Sequence, residues 1–277
     1  MRLLMQLLPV VVISFIGGQG MMAVEDDPAP SLAIGVATAV LAVLVYALTV
    51  RWSERRSPSE VAVKGATSHT VVGLVIGLGW FGAVIGHIAL MDGYRVDGTG
   101  SLSGPVGLFG FMAAASVTEE LMFRGVLFRF TERRFGTWFA LALTSVLFGA
   151  WHLVNPDASL LGAAAVTFSA GLLLPAVYAA TRTLWMPIGV HFGWNYAASA
   201  IFGTEVSGNG DNDGFLHGVT SGPDLLTGGR FGPEASPYTV AFGLVLTVVF
   251  LWIARRRGNL VSRRRRAPAT PTATLAQ

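Results

Sequence analysis

Two adjacent carboxylates and, four residues later, a guanidinium interrupt an apolar stretch: Glu119-Glu120-Leu121-Met122-Phe123-Arg124. Residues 106–117 before them and 125–128 after them are apolar, so three ionisable groups lie inside what reads as a membrane helix. A charge near the bilayer centre costs roughly 3 kcal/mol on insertion scales, and such groups mark a functional site by default. Helical spacing divides their work. Glu120 and Arg124 share a face and can pair, whereas Glu119, turned by about 100°, points elsewhere. One carboxylate is thus neutralised locally, and the other is left free in a poorly solvated setting suited to a general base.

Two of the five histidines also lie deep in apolar segments, with polar or aromatic company at helical spacing. His152 closes Phe148-Gly149-Ala150-Trp151-His152, and His191 opens His191-Phe192-Gly193-Trp194-Asn195, placing His191 and Asn195 on one face. Taken singly, each feature has a structural reading: a membrane histidine often hydrogen-bonds a neighbouring helix, a Glu–Arg pair can be packing glue, and Trp151 and Trp194 suit packing or interfacial positions. Taken together, a carboxylate, two imidazoles and an amide on three helices supply the parts of an acyl-transfer site, a water activator and donors for an oxyanion.

The elements that must position these groups are membrane helices. The 277 residues are 52% hydrophobic and 13% charged, a composition of polytopic membrane proteins. Eight apolar segments approach the ~20 residues needed to cross a bilayer core, near 3–22, 31–50, 69–91, 104–124, 137–153, 159–180, 184–203 and 238–254. The expected fold is all-α, a bundle of about eight transmembrane helices with the site inside it. The first segment also has signal-peptide features, Arg2 followed by an apolar run, but the run continues through Met22 and Met21-Met22-Ala23 lacks the small-x-small cleavage pattern; it is taken as a first helix. Counted at about 1.5 Å per residue from the inner ends, His191 lies roughly 10–13 Å deep, Glu119 about 15 Å and His152 about 22 Å. These depths meet only if helices tilt or the fifth span starts below the surface.

Loop charge sets the orientation. With the N-terminus inside, Arg2, Arg51, Arg55, Arg56, Lys64, Arg129, Arg133, Arg134, Arg182 and seven tail arginines fall on one side, sixteen of the nineteen basic residues, which places both termini in the cytoplasm of a cell-membrane protein. The outer loops keep Arg95 and Arg230 but most of the acidic residues. The tail arginines read as a topology anchor and not as a nucleic-acid surface, and the absence of cysteine excludes disulfides and thiol chemistry. Organisation follows: residues 1–103 hold helices one to three, 104–203 a catalytic core, 204–237 an extracytoplasmic loop, 238–254 the last helix and 255–277 a basic cytoplasmic tail. In the loop, residues 209–214 resemble half of a calcium loop, but Thr220 stands where a bidentate Glu belongs, so a flexible loop is expected. The Pro, Thr and Ala of the tail from residue 267 suggest disorder.

Glu119-Glu120-x-x-x-Arg124, Phe148-x-x-x-His152 and His191-x-x-x-Asn195, in that order on successive helices, resemble the three motifs of the CPBP intramembrane proteases. This is the family of CAAX proteases and bacteriocin-processing enzymes, and it includes the eukaryotic type II CAAX prenyl endopeptidase. The likeness spans residues 104–203. It implies an eight-helix intramembrane endopeptidase in which Glu119 and His152 activate water and His191 and Asn195 hold the oxyanion, with Glu120 and Arg124 as motif partners beside Phe148. The implied substrate is a membrane-associated protein or peptide; prenylation, the physiological pathway and the oligomeric state are not specified. Two further classes fit the residue types, a proton-coupled transporter, for which no repeat of the motifs is found, and a non-catalytic immunity or scaffold protein. No cofactor is favoured. The His-Glu-x-x-His zinc string is absent; Glu119, His152 and His191 form the alternative zinc set, to which Asn195 adds a poor fourth ligand.

Overall fold

The computed structural model describes residues 1–210 and 214–262. Its long helices are α1 (Arg2–Met22), α2 (Pro28–Glu54), α3 (Ala66–Leu90), α4 (Ser103–Phe135), α5 (Thr137–Val154), α6 (Leu160–Thr181), α7 (Trp185–Tyr196, continued by a π-helical stretch Ala197–Ile201) and α8 (Pro237–Arg256). All except α7 are long and apolar enough to cross a membrane. The fold is that of a polytopic helical membrane protein. The shorter α7 is the most enclosed: Ile188, Val190, His191, Trp194, Asn195 and Ala197–Ser199 are buried, so protein rather than lipid surrounds its polar groups.

Close approach sets α7 in place. A Cβ on Gly73 or Gly77 of α3 would lie 2.3 or 2.2 Å from the carbonyl oxygens of Met186 and Val190, and one on Gly189 or Gly193 would lie 2.4 or 2.5 Å from those of Thr70 and Leu74. Two facing small-xxx-small stripes therefore let the backbones touch, the device membrane helices use where no hydrophobic force drives them together. The α2–α4 crossing is similar, with Gly35 against the Gly110 backbone.

Besides the π-helical end of α7, helices α4 and α6 depart from regular geometry within their length. Within α4, Leu121–Phe128 is π-helical and starts directly after Glu120, a distortion common at functional sites. In α6, Ser169 has φ −102° and ψ −98°. Backbone polar groups freed at membrane depth need partners: Arg124 Nη2 donates to the Ala170 carbonyl at 3.3 Å and Ser145 Oγ to that of Gly171 at 2.6 Å.

At one end of the bundle the arginines gather. Glu54 accepts from Gln6, Arg56, Arg129 and Arg133, Glu60 from Arg56 and Tyr46, and Glu132 from Arg182. Burial pushes the Glu60 carboxyl up, and the bonds from Arg56 and Tyr46 outweigh it, holding the group below its usual range. At the opposite end the 204–237 segment carries regular structure in its described part. There β2 (Leu216–Thr220) pairs antiparallel with β1 (Tyr94–Thr99), and Ser207 and Trp194 both donate to the buried Glu234. The expectation of a flexible loop is corrected to this extent: the segment packs on the bundle because Glu234 and the sheet tie it there. Residues 211–213 of the calcium-like stretch, and the tail from residue 263, lie outside the described residues.

Candidate active site

Glu119, His152, His191 and Asn195 line one cavity of about 130 Å³, with Phe111, Met112, Ala115, Trp151, Asn155, Val206, Ser207 and Asn209 completing the wall. The conflict of depths is resolved by where the helices begin. Helix α4 runs through Phe135, not Arg129, and only Gly136 separates it from α5. Measured from that turn, Glu119 and His152 both stand about 23 Å along their helices. His191 is six residues into α7, which itself begins inside the protein: Leu184 is fully buried and its N–H donates to the Glu60 carbonyl at 2.8 Å. The span that starts below the surface is thus the seventh, not the fifth.

The two carboxylates separate as their spacing requires. Glu120 is fully buried; its Oε1 accepts from Arg124 Nη1 at 2.7 Å and lies 3.0 Å from His191 Nδ1. Glu119 faces the cavity, and its Oε2 is buried without a hydrogen-bond partner among the described residues, 3.9 Å from His191 Nε2. His191 therefore stands between both carboxylates, a contact that spacing along the sequence did not reveal. His152 Nδ1 lies 2.7 Å from the Phe148 carbonyl. A carbonyl only accepts, so Nδ1 carries a proton and donates it to this bond, and Nε2 is the ring nitrogen left for a partner in the cavity.

Phe148 holds the parts together. Its ring meets His152 edge-on at 4.8 Å, His191 at 5.9 Å and Phe123 at 5.0 Å, and the Arg124 guanidinium sits 4.4 Å over its face, a cation–π contact in a desolvated setting. Trp194 is a packing residue, 4.0 Å from Trp80 and bonded to Glu234, whereas Trp151 borders the cavity. Sequence reasoning missed Asn155, whose amide donates to the Ser207 carbonyl at 2.6 Å; three residues after His152 and before Pro156, it stands in the turn that ends α5.

Residues 101–197 match the sequence model of a family described as Rce1-like, the type II CAAX prenyl endopeptidases. That stretch is Rce1-like. The family is one of proteases, and the Rce1-like segment holds all three motifs and all four candidate catalytic residues. No curated protein and no solved structure matches the chain.

Among the described residues, no group of three or more His, Asp or Glu is placed to hold a metal ion. Glu119, His152 and His191 share the cavity without gathering as three ligands of one centre.

Proposed function

We propose that this chain is an intramembrane endopeptidase that hydrolyses a peptide bond of a membrane-associated protein or peptide with water activated by Glu119 and His152. The observation that carries the reading is the convergence of Glu119, His152, His191 and Asn195, from three helices, on one cavity in which a Glu119 oxygen lacks a hydrogen-bond partner among the described residues. A carboxylate and an imidazole lining one cavity of about 130 Å³, roomy enough for water, suit the removal of a proton from attacking water. The hydroxide equivalent adds to the scissile carbonyl, and the proton held on Glu119 or His152 then passes to the leaving amine.

His191 and Asn195 steady the oxyanion. The Asn195 amide is a donor in either state of the site. His191 donates its Nδ1–H to Glu120, which fixes the ring with Nε2 on the side of Glu119, 3.9 Å away, where it joins Asn195 at the reacting carbonyl. Arg124 balances Glu120, which leaves Glu119 to the chemistry. The arginine-rich end faces the cytoplasm, with both termini there. The Rce1-like segment supports proteolysis, and the disposition of Glu119 and His152 in the cavity suits direct activation of water. Elemental analysis of the purified protein, beside a cleavage assay on solubilised membrane proteins with and without chelator, tests it. Cleavage at sub-stoichiometric metal that survives chelation is expected; stoichiometric zinc, lost with activity and restoring it on return, would overturn the mechanism.

A further inference from the structure

The cavity is sealed towards one end of the bundle and bordered by outer segments at the other. Below Glu119 on α4, Arg124, Val126 and Phe128 are buried, and the space beside Gly125 is filled by Tyr46 and Leu184, both fully buried. Tyr46 is fastened by its hydroxyl to Glu60 and to the Gly125 carbonyl at 2.7 and 2.9 Å. This plug leads to the arginine cluster. On the opposite side the cavity wall is made by Asn155, Ser207 and the exposed Asn209. Next to it lies a pocket of about 520 Å³ between the α1–α2 turn and the start of α4, lined by Glu25, Asp26, Ser103 and Leu108 among others, and Phe111 borders both spaces. The two outer arginines are already committed, Arg95 to Asp97 at 2.7 Å and Arg230 to Asp157 at 2.5 Å, whereas Glu25 and Asp26 are exposed and make no ion pair with a described residue.

We infer that the site takes its substrate from the extracytoplasmic side, as a segment of an exported or membrane-anchored polypeptide with basic residues beside the scissile bond, and not as a cytoplasmic C-terminal tail. This rests on the proteolytic reading, and on the orientation that places the arginine end inside. The peptide reaches Glu119 past Phe111, its cationic flank lying in the pocket of Glu25 and Asp26. No charge of the plug has to be uncovered for that route, whereas access from the arginine end would require Tyr46 and Leu184 to leave the bundle.

The chain has no cysteine, so single thiols report access directly. Ala115→Cys in the cavity wall, Asn209→Cys in its rim and Ser57→Cys at the arginine end are labelled with membrane-impermeant methanethiosulfonates in right-side-out and inverted vesicles. Labelling of positions 115 and 209 in right-side-out vesicles, and of 57 in inverted ones, is expected. Labelling of 115 from the inverted side only, or of neither 115 nor 209 from either side, overturns the inference. At position 115 a trimethylammonium reagent should react faster than a sulfonate one, relative to a free thiol, and Glu25→Gln with Asp26→Asn should lower that ratio roughly threefold after screening. An unchanged ratio removes the basic-substrate assignment. Labelling needs no catalysis, so this result stands or falls separately from the proteolysis itself.

Discussion

At the scale of single residues, the neighbouring carboxylates do different work, and substitution should separate them. Glu119→Gln removes the cavity-facing base and leaves the Glu120–Arg124 pair, so proteolysis should be lost at normal membrane levels. Glu120→Gln strips Arg124 and His191 of their shared partner. An orphaned buried charge costs about 3–5 kcal/mol, so abundance and thermal stability should fall along with activity. Quantitative blotting beside a cleavage assay distinguishes the two, and equal abundance of both variants would remove the ion-pair argument. Asn195→Ala deletes one oxyanion donor, worth about 3 kcal/mol or roughly a hundredfold in kcat; KM should hardly change, and a rise in KM at constant kcat would make Asn195 a binding residue instead. The pairing of Glu120 with Arg124 was legible from four-residue spacing. The bond from His191 to Glu120 was not, because it joins residues on different helices, and spacing speaks only within one.

At the scale of elements, the apolar segments announced themselves by length, whereas the features that aim the site did not. The π-helical turn after Glu120, the break at Ser169 and the buried start of α7 arise from tertiary partners, namely the carbonyls of Ala170 and Gly171 and the Glu60 segment. The facing glycines of α3 and α7 were written in the sequence as Gly73-x-x-x-Gly77 and Gly189-x-x-x-Gly193, but which stripe met which required the structure. Gly77→Val should push α3 off α7, displace His191 and Asn195, and lower the melting temperature in detergent; overpacking of this kind typically costs 1–3 kcal/mol or more. Gly79→Val, where an added Cβ meets nothing within 4 Å, is the matched control, and equal melting of the two variants would contradict the close approach. At the arginine end, the bonds from Arg56 and Tyr46 hold the Glu60 carboxyl below the usual carboxylate range when folded. Its stabilisation is therefore complete above the unfolded pKa and is lost as pH falls through the lowered one. Wild type should melt higher than Glu60→Gln at neutral pH, and the gap should close in acid; a gap independent of pH would refute the linkage.

At the scale of the whole molecule, charge sorting in the sequence anticipated one arginine end, and the described helices bring Arg56, Arg129, Arg133 and Arg182 together there around Glu54, Glu60 and Glu132. What composition did not show is that the 204–237 segment contributes Val206, Ser207 and Asn209 to the cavity, because a loop rich in Gly and Asp gives no periodic signal of its packing. A phosphatase fused at Gly208 should be active, and one fused after Gln277 silent; the reverse pattern would invert the topology. The central claim is that this cavity cuts peptide bonds and that Glu119 is required. It is tested most directly by sequencing the termini of membrane and exported proteins in cells expressing wild type, Glu119→Gln or no protein, with both forms present at equal levels. New termini that appear with wild type and are absent with Glu119→Gln are predicted; termini identical across all three, or undiminished in Glu119→Gln, would contradict the account.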